Sequence, residues 1–366
     1  MKKIFNYIKL ATYGKYLKFK IEYALKKASY NSGRGESISV IIPTYEENEY
    51  LYYAVYSCLV QKGNLDIEVL ICVNGYKENW FEKIKRKYKN NSQVKVLWTK
   101  VFGSSAGRNI GLKNASKDWI TFLDDDDYFS VNYLKEMVDG IKKDVDVVVG
   151  PIFNITQKFS TLKKETMHTK IIRKMTGVYP LNEKMVRNFF TVTFKLIKRK
   201  TVERKFICFD EKINSGADMN FWFDNMKNIE GKISYIPVLK DAYIRRILRD
   251  SLSRKYSSSK LKKIRNLEKR KAIFNFQIIR RIDMIENFLN KYFQNESMKN
   301  SMYRKFLWLC VEDFYIPMRK SFMHADTGEK KYIKEKISEK KCLYTGGIIE
   351  VLEDGRWEEW IKKIIA

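Results

Sequence analysis

The chain has 366 residues, with 71 Lys and Arg against 43 Asp and Glu for a formal net charge of +28. Apolar residues at 45% and aromatics at 14% exclude a disordered chain, and 17 Gly, 5 Pro and no fixed-period repeat exclude collagen-like, low-complexity and solenoid classes. The charge favours polyanionic partners: phosphorylated small molecules, acidic lipid or nucleic acid.

That charge is spread over the whole length, with +7 in residues 1–37, +10 in residues 255–366 and +11 between them. The five Cys have no paired spacing, which suggests neither a disulfide framework nor a zinc knuckle and fits a reducing cytosol. No apolar stretch approaches the roughly 18 residues of a membrane span. The N-terminus is interrupted by Lys and lacks a secretory apolar region, so a soluble or peripheral protein is expected.

In chain order, residues 1–30 place Ile4, Phe5, Ile8 and Leu17 at near-helical spacing among Lys residues, which predicts a basic amphipathic helix. Asn31 to Gly35 has linker chemistry, and Ile38 to Ile42 is a β-branched run ended by Pro43. A helix over 49–59 follows, and then a second apolar run over Ile67–Val73. Further runs lie at Val94–Leu97, Trp119–Leu123 and Val145–Val149, with helix-like segments between. Strands that are continuously apolar indicate a mostly parallel sheet covered on both faces. From residue 255 the periodicity of Leu261, Ile264, Phe274, Ile278 and Ile285 predicts a helical appendage, closed by an amphipathic stretch around Trp357 and Trp360. The expected division is 1–37, 38–254 and 255–366.

The most informative segment is Leu123 to Phe129, which sets Asp124, Asp125, Asp126 and Asp127 directly after an apolar strand. Four crowded carboxylates repel one another without a cation, and acids at the carboxyl end of such a strand suit a hard divalent ion. An Asp-rich turn capping the helix that follows is the alternative. Upstream, Phe102 to Gly111 puts small residues before Arg108 at an apparent helix start, where backbone amides and a guanidinium suit phosphate, although Gly and Ser also make ordinary loops. His168 and His324, the only histidines, lie far from the acids in sequence and read as structural or surface residues. Tyr50, Tyr52, Tyr53 and Tyr56 suit a helix packed on the sheet better than a sugar-stacking surface.

Taken in order, SVIIPTYEEN, EVLICVNG, GSSAGRNIGL, WITFLDDDDYF, SGADMNFW and YIRRILRDSLSR resemble the motifs of the family 2 glycosyltransferases over residues 38–254. The resemblance implies a GT-A fold, a Rossmann-like α/β sandwich that binds a nucleotide-diphospho-sugar at the carboxyl ends of its strands. It places Pro43, Thr44, Tyr45 and Glu46 in the loop that receives base and ribose, with Tyr45 stacking on the base and Asn74 in the second donor loop. Asp124, Asp125 and Asp126 match the Asp-x-Asp motif. Asp126, with Asp124, is the implied ligand of Mg²⁺ or Mn²⁺, and Asp127 is the acid that often follows. Asp218 matches the catalytic base of an inverting transfer; a helix N-cap is its bland alternative. Arg108, Arg246 and Ser251 match donor-phosphate contacts, against a solvated basic surface. Val73-Asn74-Gly75 stands where the family commonly has Asp-Asp-Gly or Asp-Asn-Gly, losing a carboxylate, and Ala217 where a Glu precedes the base, so the nucleotide base and the handling of the acceptor stay open.

The function expected is metal-dependent, inverting transfer of a sugar to a glycan or lipid-linked acceptor in bacterial cell-surface polysaccharide synthesis. It is expected in the cytoplasm, at the inner face of the plasma membrane, with an anionic membrane surface as a further partner and no nucleic acid. The rivals are a basic nucleic-acid-binding protein, which leaves the Asp cluster unexplained, and a non-catalytic GT-A-like assembly partner, suggested by Val73 and Ala217.

Overall fold

In a computed structural model, the structure describes residues 35–156, 164–203, 208–212, 216–226, 228–248, 261, 264–292, 301–339 and 347–365. The expected basic N-terminal helix and Ser251 lie outside the described residues.

The first half is a repeated strand–helix unit: β1 (Ser37–Thr44), α1 (Tyr50–Leu59), β2 (Asp66–Asn74), α2 (Glu78–Tyr88), β3 (Val94–Thr99), α3 (Ser104–Asn114) and β4 (Trp119–Phe122). In β1 and β2 nearly every residue is buried, because helices cover both faces of the sheet. These four strands are parallel in the order β3-β2-β1-β4, so the loops after Thr44, Asn74, Thr99 and Phe122 emerge at one edge. Ligands of open α/β sheets bind at that carboxyl edge.

Four more strands extend the sheet: β6 (Val145–Val149), β9 (Gly177–Pro180), β10 (Lys195–Lys198) and β11 (Lys232–Tyr235), for a full order of β3-β2-β1-β4-β10-β6-β11-β9. β10 runs antiparallel between β4 and β6. Its direction brings the start of the strand, rather than its end, to the carboxyl edge, and Thr193 bridges to Phe122 there. A small second sheet joins β5 (Tyr128–Phe129), β12 (Tyr243–Ile247), β7 (Ile152–Thr156) and β8 (Lys164–Glu165) in the order β5-β12-β7-β8. Its β5 follows the Asp cluster directly in sequence.

Gly111 lets α3 approach the sheet closely, since a Cβ there would overlap Ile41 Cγ2 and lie 3.0 Å from Cys72 Sγ. That approach carries the first turns of α3, with Ser104 and Arg108, to the carboxyl edge. The remaining helices of the first 230 residues include α4 (Tyr133–Asp139), α5 (Met167–Lys174), α6 (Arg199–Glu203) and α7 (Ala217–Met226), with a 3₁₀ segment over Glu183–Phe190.

The C-terminal region is helical, as its periodicity requires: α8 (Leu267–Phe274), a π turn over Asn275–Ile279, α9 (Arg280–Tyr292), α10 (Ser301–Met323), α11 (Thr327–Ser338), α12 (Ile348–Asp354) and α13 (Trp357–Ile365). Asp326 and Glu329 form a capping box at the start of α11. Phe274, Ile278, Phe306 and Met318 are fully buried in the same apolar cluster as the sheet residues. Arg187 of the 3₁₀ segment pairs with Glu312 and Asp313 of α10 at 3.0 Å each.

Candidate active site

The carboxyl edge gathers the side chains that the motifs single out. Thr44, at the end of β1, donates from Oγ1 to Asp125 Oδ2 at 2.6 Å, and Asn48 Nδ2 donates to the same oxygen at 2.9 Å. Asp125 therefore anchors the loop after β1 to the acid turn. Asn74 joins two further loops, donating to the Thr44 carbonyl at 2.9 Å and accepting from the Gly103 amide at 2.9 Å. Tyr45, 38% exposed, meets Phe102 edge-on at 4.7 Å between ring centroids, with Lys77 Nζ 4.5 Å from its ring centre. Gly75, at φ +79°, takes the tight turn beneath Tyr45. Pro43 lies at the closest approach of Gly107, where a Cβ would sit 3.0 Å from Pro43 Cβ. Glu46 belongs to the same loop and accepts through its carbonyl from Asn48 Nδ2 at 3.2 Å.

Arg108 is 6% exposed and joins two regions distant in sequence. Its guanidinium donates to Asp124 Oδ1 at 3.0 Å and to Asp218 Oδ1 at 3.1 Å. Burial works against its charge, but the two carboxylates outweigh burial and hold the guanidinium above its ordinary range. Asp218 sits in the first turn of α7, where the amide dipoles favour a carboxylate, and its Oδ2 accepts from the Val192 amide at 3.2 Å. Base candidate and acid cluster thus share one cation.

The acid turn has graded environments. Asp127 is buried, accepting from Tyr243 Oη at 2.7 Å and from the Arg246 amide at 2.7 Å, and burial followed by Asp126 and Asp124 raises it well above the carboxylate range. Burial pushes Asp125 up to about 6 despite its hydroxyl and amide donors. Asp126 is pushed up to about 7, first by burial and then by Asp124 and Asp125. Arg246 Nε donates to the Asp126 carbonyl at 3.0 Å, and its guanidinium stacks over Tyr50 at 4.5 Å.

Such a strongly disfavoured negative charge suits a hard cation. Among the described residues no group of three or more metal-ligating side chains converges. The described residues therefore offer two carboxylates at most, with Asp126 and Asp124 as the implied pair. This donor set fits Mg²⁺, which is usually held by one or two carboxylates with substrate phosphate and water completing the shell.

The structure thus brings Pro43, Thr44, Tyr45, Glu46, Asn74, Arg108, Asp124, Asp125, Asp126, Asp218 and Arg246 to one edge. His168 is half-buried, with Asn188 Oδ1 3.1 Å from its ring nitrogen and the Phe194 ring 5.1 Å away, and burial, then Lys195, drives it down to about 4. Reading by motif missed Asn48, Tyr243 and the segment 191–195. Asn48 and Tyr243 lie inside quoted motifs, so their polarity was a usable signal; the segment carries none.

Residues 39–206 match the family model described as Glycosyl transferase family 2. The chain is 30% identical over 223 residues to the Minor teichoic acid biosynthesis protein GgaA of Bacillus subtilis (strain 168), covering 58% of this chain and 48% of that protein. It is 27% identical over 177 residues to Glycosyltransferase GlyG of Streptococcus pneumoniae serotype 4, covering 45% and 58% respectively. It is also similar to a crystal structure of S. aureus TarS in complex with UDP-GlcNAc, at 16% identity and a TM-score of 0.48, over 82% of this chain and 87% of that one. The chain spans about half the length of the curated relatives it matches. The likeness to glycosyl transferase family 2 thus extends over residues 39–206 of this chain.

Proposed function

We propose that this chain transfers a sugar, with inversion, from a nucleotide-diphospho-sugar to a hydroxyl of a glycan or lipid-linked glycan in cell-surface polysaccharide synthesis. The observation that carries the reading is the Arg108 bridge, which sets Asp218 beside the Asp124–Asp127 turn at the carboxyl edge of the sheet. The names of the relatives, teichoic acid biosynthesis among them, support the acceptor class.

In this reading the loops carrying Tyr45 and Asn74 receive the nucleoside, with the Tyr45 and Phe102 rings as the stacking surface. Asp126 and Asp124 would hold Mg²⁺ or Mn²⁺, which when bound neutralises charge on the donor diphosphate. Arg246, and Ser251 from outside the described residues, would face the phosphates. The acceptor oxygen attacks the anomeric carbon as the bond to the diphosphate breaks, and the hydroxyl proton passes to Asp218. Arg108 and the Val192 amide keep that carboxylate oriented, while each of its oxygens retains a lone pair. A positioned base contributes about 10² to 10⁴ in rate.

Among the described residues no helix is long and apolar enough to cross a membrane. The proposed anionic membrane contact rests on the Lys-rich residues 1–30.

The test screens UDP-, GDP-, CDP- and dTDP-sugars for metal-dependent thermal stabilisation and then compares wild type with Asp218→Asn. The variant is expected to keep donor affinity and lose transfer. Normal turnover in Asp218→Asn refutes the assignment of the base.

A further inference from the structure

Lys195 opens β10, and no part of it reaches solvent. Its Nζ donates to the Thr191 carbonyl at 2.7 Å and to the Thr193 carbonyl at 3.2 Å. The Phe194 ring centre lies 3.8 Å from Nζ, with the Phe189 and Trp222 rings 5.7 Å away. Burial drives the amine well below its ordinary range, opposed by Asp218. An apolar side chain would fill this aromatic cage at less cost, so packing does not explain a lysine here. Its two acceptors do.

The two carbonyls flank Val192, the residue whose amide donates to Asp218 Oδ2. α7 grips the same segment a second time: Trp222, four residues after Asp218, donates from Nε1 to the Thr191 carbonyl at 2.9 Å. The segment needs such holding. Phe194 sits in the left-handed region at φ +50°, which disfavours a bulky L-residue, and its carbonyl is fixed by the Gly150 amide at 3.0 Å.

We propose that Lys195 is a positioning residue for Asp218, gathering the Thr191 and Thr193 carbonyls so that the Val192 amide is presented to the carboxylate. The inference rests on Asp218 being the base. Lys195 itself stays one peptide unit away from the chemistry: it sets where the carboxylate points, with no part in donor binding.

The experiment compares Lys195→Met, which keeps a stem of similar length, with Trp222→Phe, Asp218→Asn and the Lys195→Met/Asp218→Asn pair in the full chain. Release of nucleoside diphosphate from the UDP-, GDP-, CDP- and dTDP-sugar panel gives turnover. Calorimetry with UDP, GDP, CDP and dTDP in the presence of Mn²⁺ gives affinity. Hydrogen exchange of the 190–194 backbone gives the state of the segment. Lys195→Met is expected to lower kcat by about ten- to a hundredfold, leave nucleotide affinity within about twofold and speed exchange of 190–194. In the Asp218→Asn background it is expected to lower kcat no further.

Unchanged kcat in a folded Lys195→Met, or an equal further loss in the Asp218→Asn background, overturns the proposal. Should Lys195→Met fail to fold, Trp222→Phe reads the same carbonyl. Reduced kcat with faster exchange then supports the proposal, and wild-type behaviour or a second failure to fold overturns it in favour of plain structural support. Full turnover in Asp218→Asn sinks the reading of the base. Inactive Asp218→Asn beside fully active Lys195→Met sinks the positioning role alone.

Discussion

Replacing Arg108 with Met keeps a side chain of similar reach and deletes both hydrogen bonds to carboxylates at once, together with a longer one to Ser104 Oγ. The guanidinium side chain is 8% exposed, while its partners Asp124 and Asp218 are 39% and 24% exposed. Breaking a buried ion pair by removing one partner costs about 3–5 kcal/mol, because the other charge is stranded. Here water reaches both stranded carboxylates, so the expected loss is about 2–4 kcal/mol of folding stability. The second consequence is functional, since Asp218 keeps only the Val192 amide and loses the cation that fixes its angle.

Urea melts at low and high salt, read beside donor affinity and turnover, measure both effects. Salt is expected to change the difference little, because a buried pair is poorly screened. Arg108→Lys is expected to recover only part of the loss, since a point charge lacks the planar fork that reaches two carboxylates. The Arg108→Met/Asp218→Asn pair is expected to be less destabilised than the two single losses summed. A folded Arg108→Met within about 0.5 kcal/mol of wild type, with intact turnover, would refute the bridge as the organising contact of the site.

Asp126→Ala is expected to abolish metal-dependent stabilisation by nucleotide-sugars. The metal-free variant should be more stable than wild type at pH 8 by about 1–2 kcal/mol, since it removes a carboxylate whose folded form resists ionisation up to about pH 7; a less stable metal-free variant contradicts this. His168 moves from an ordinary 6.5 to about 4 on folding, so the unfolded chain binds the extra proton. Stability should therefore fall as pH drops from about 6.5 to 4, by up to about 3 kcal/mol from this one group, and His168→Gln should flatten that part of the profile in pH-dependent melts. Gly111→Ala adds a methyl where Ile41 already sits, and a cost of about 1–3 kcal/mol in a urea melt is expected.

The parts of the molecule legible in the amino-acid order are those whose signal is local. The β-branched runs that became β1, β2, β4 and β6 are buried on both faces, and continuous apolar residues announce that without reference to any partner. The Asp124–Asp127 turn is equally local, as four acids in a row after a strand are visible in any fold. The long C-terminal helices follow from the periodicity of Ile278, Ile282 and Ile285.

Tertiary structure decided what depends on distant neighbours. β10 is a short segment with lysine at both ends, Lys195 and Lys198, and no local signal marks it; its place between β4 and β6 buries Lys195 completely. Arg108, next to small residues, reads as a phosphate contact, and the sheet order also brings it to Asp218, 110 residues further along. Periodicity and local charge report how a segment meets a generic core or solvent. Which cation meets which carboxylate depends on strand order and direction, fixed only when segments far apart in sequence pack together.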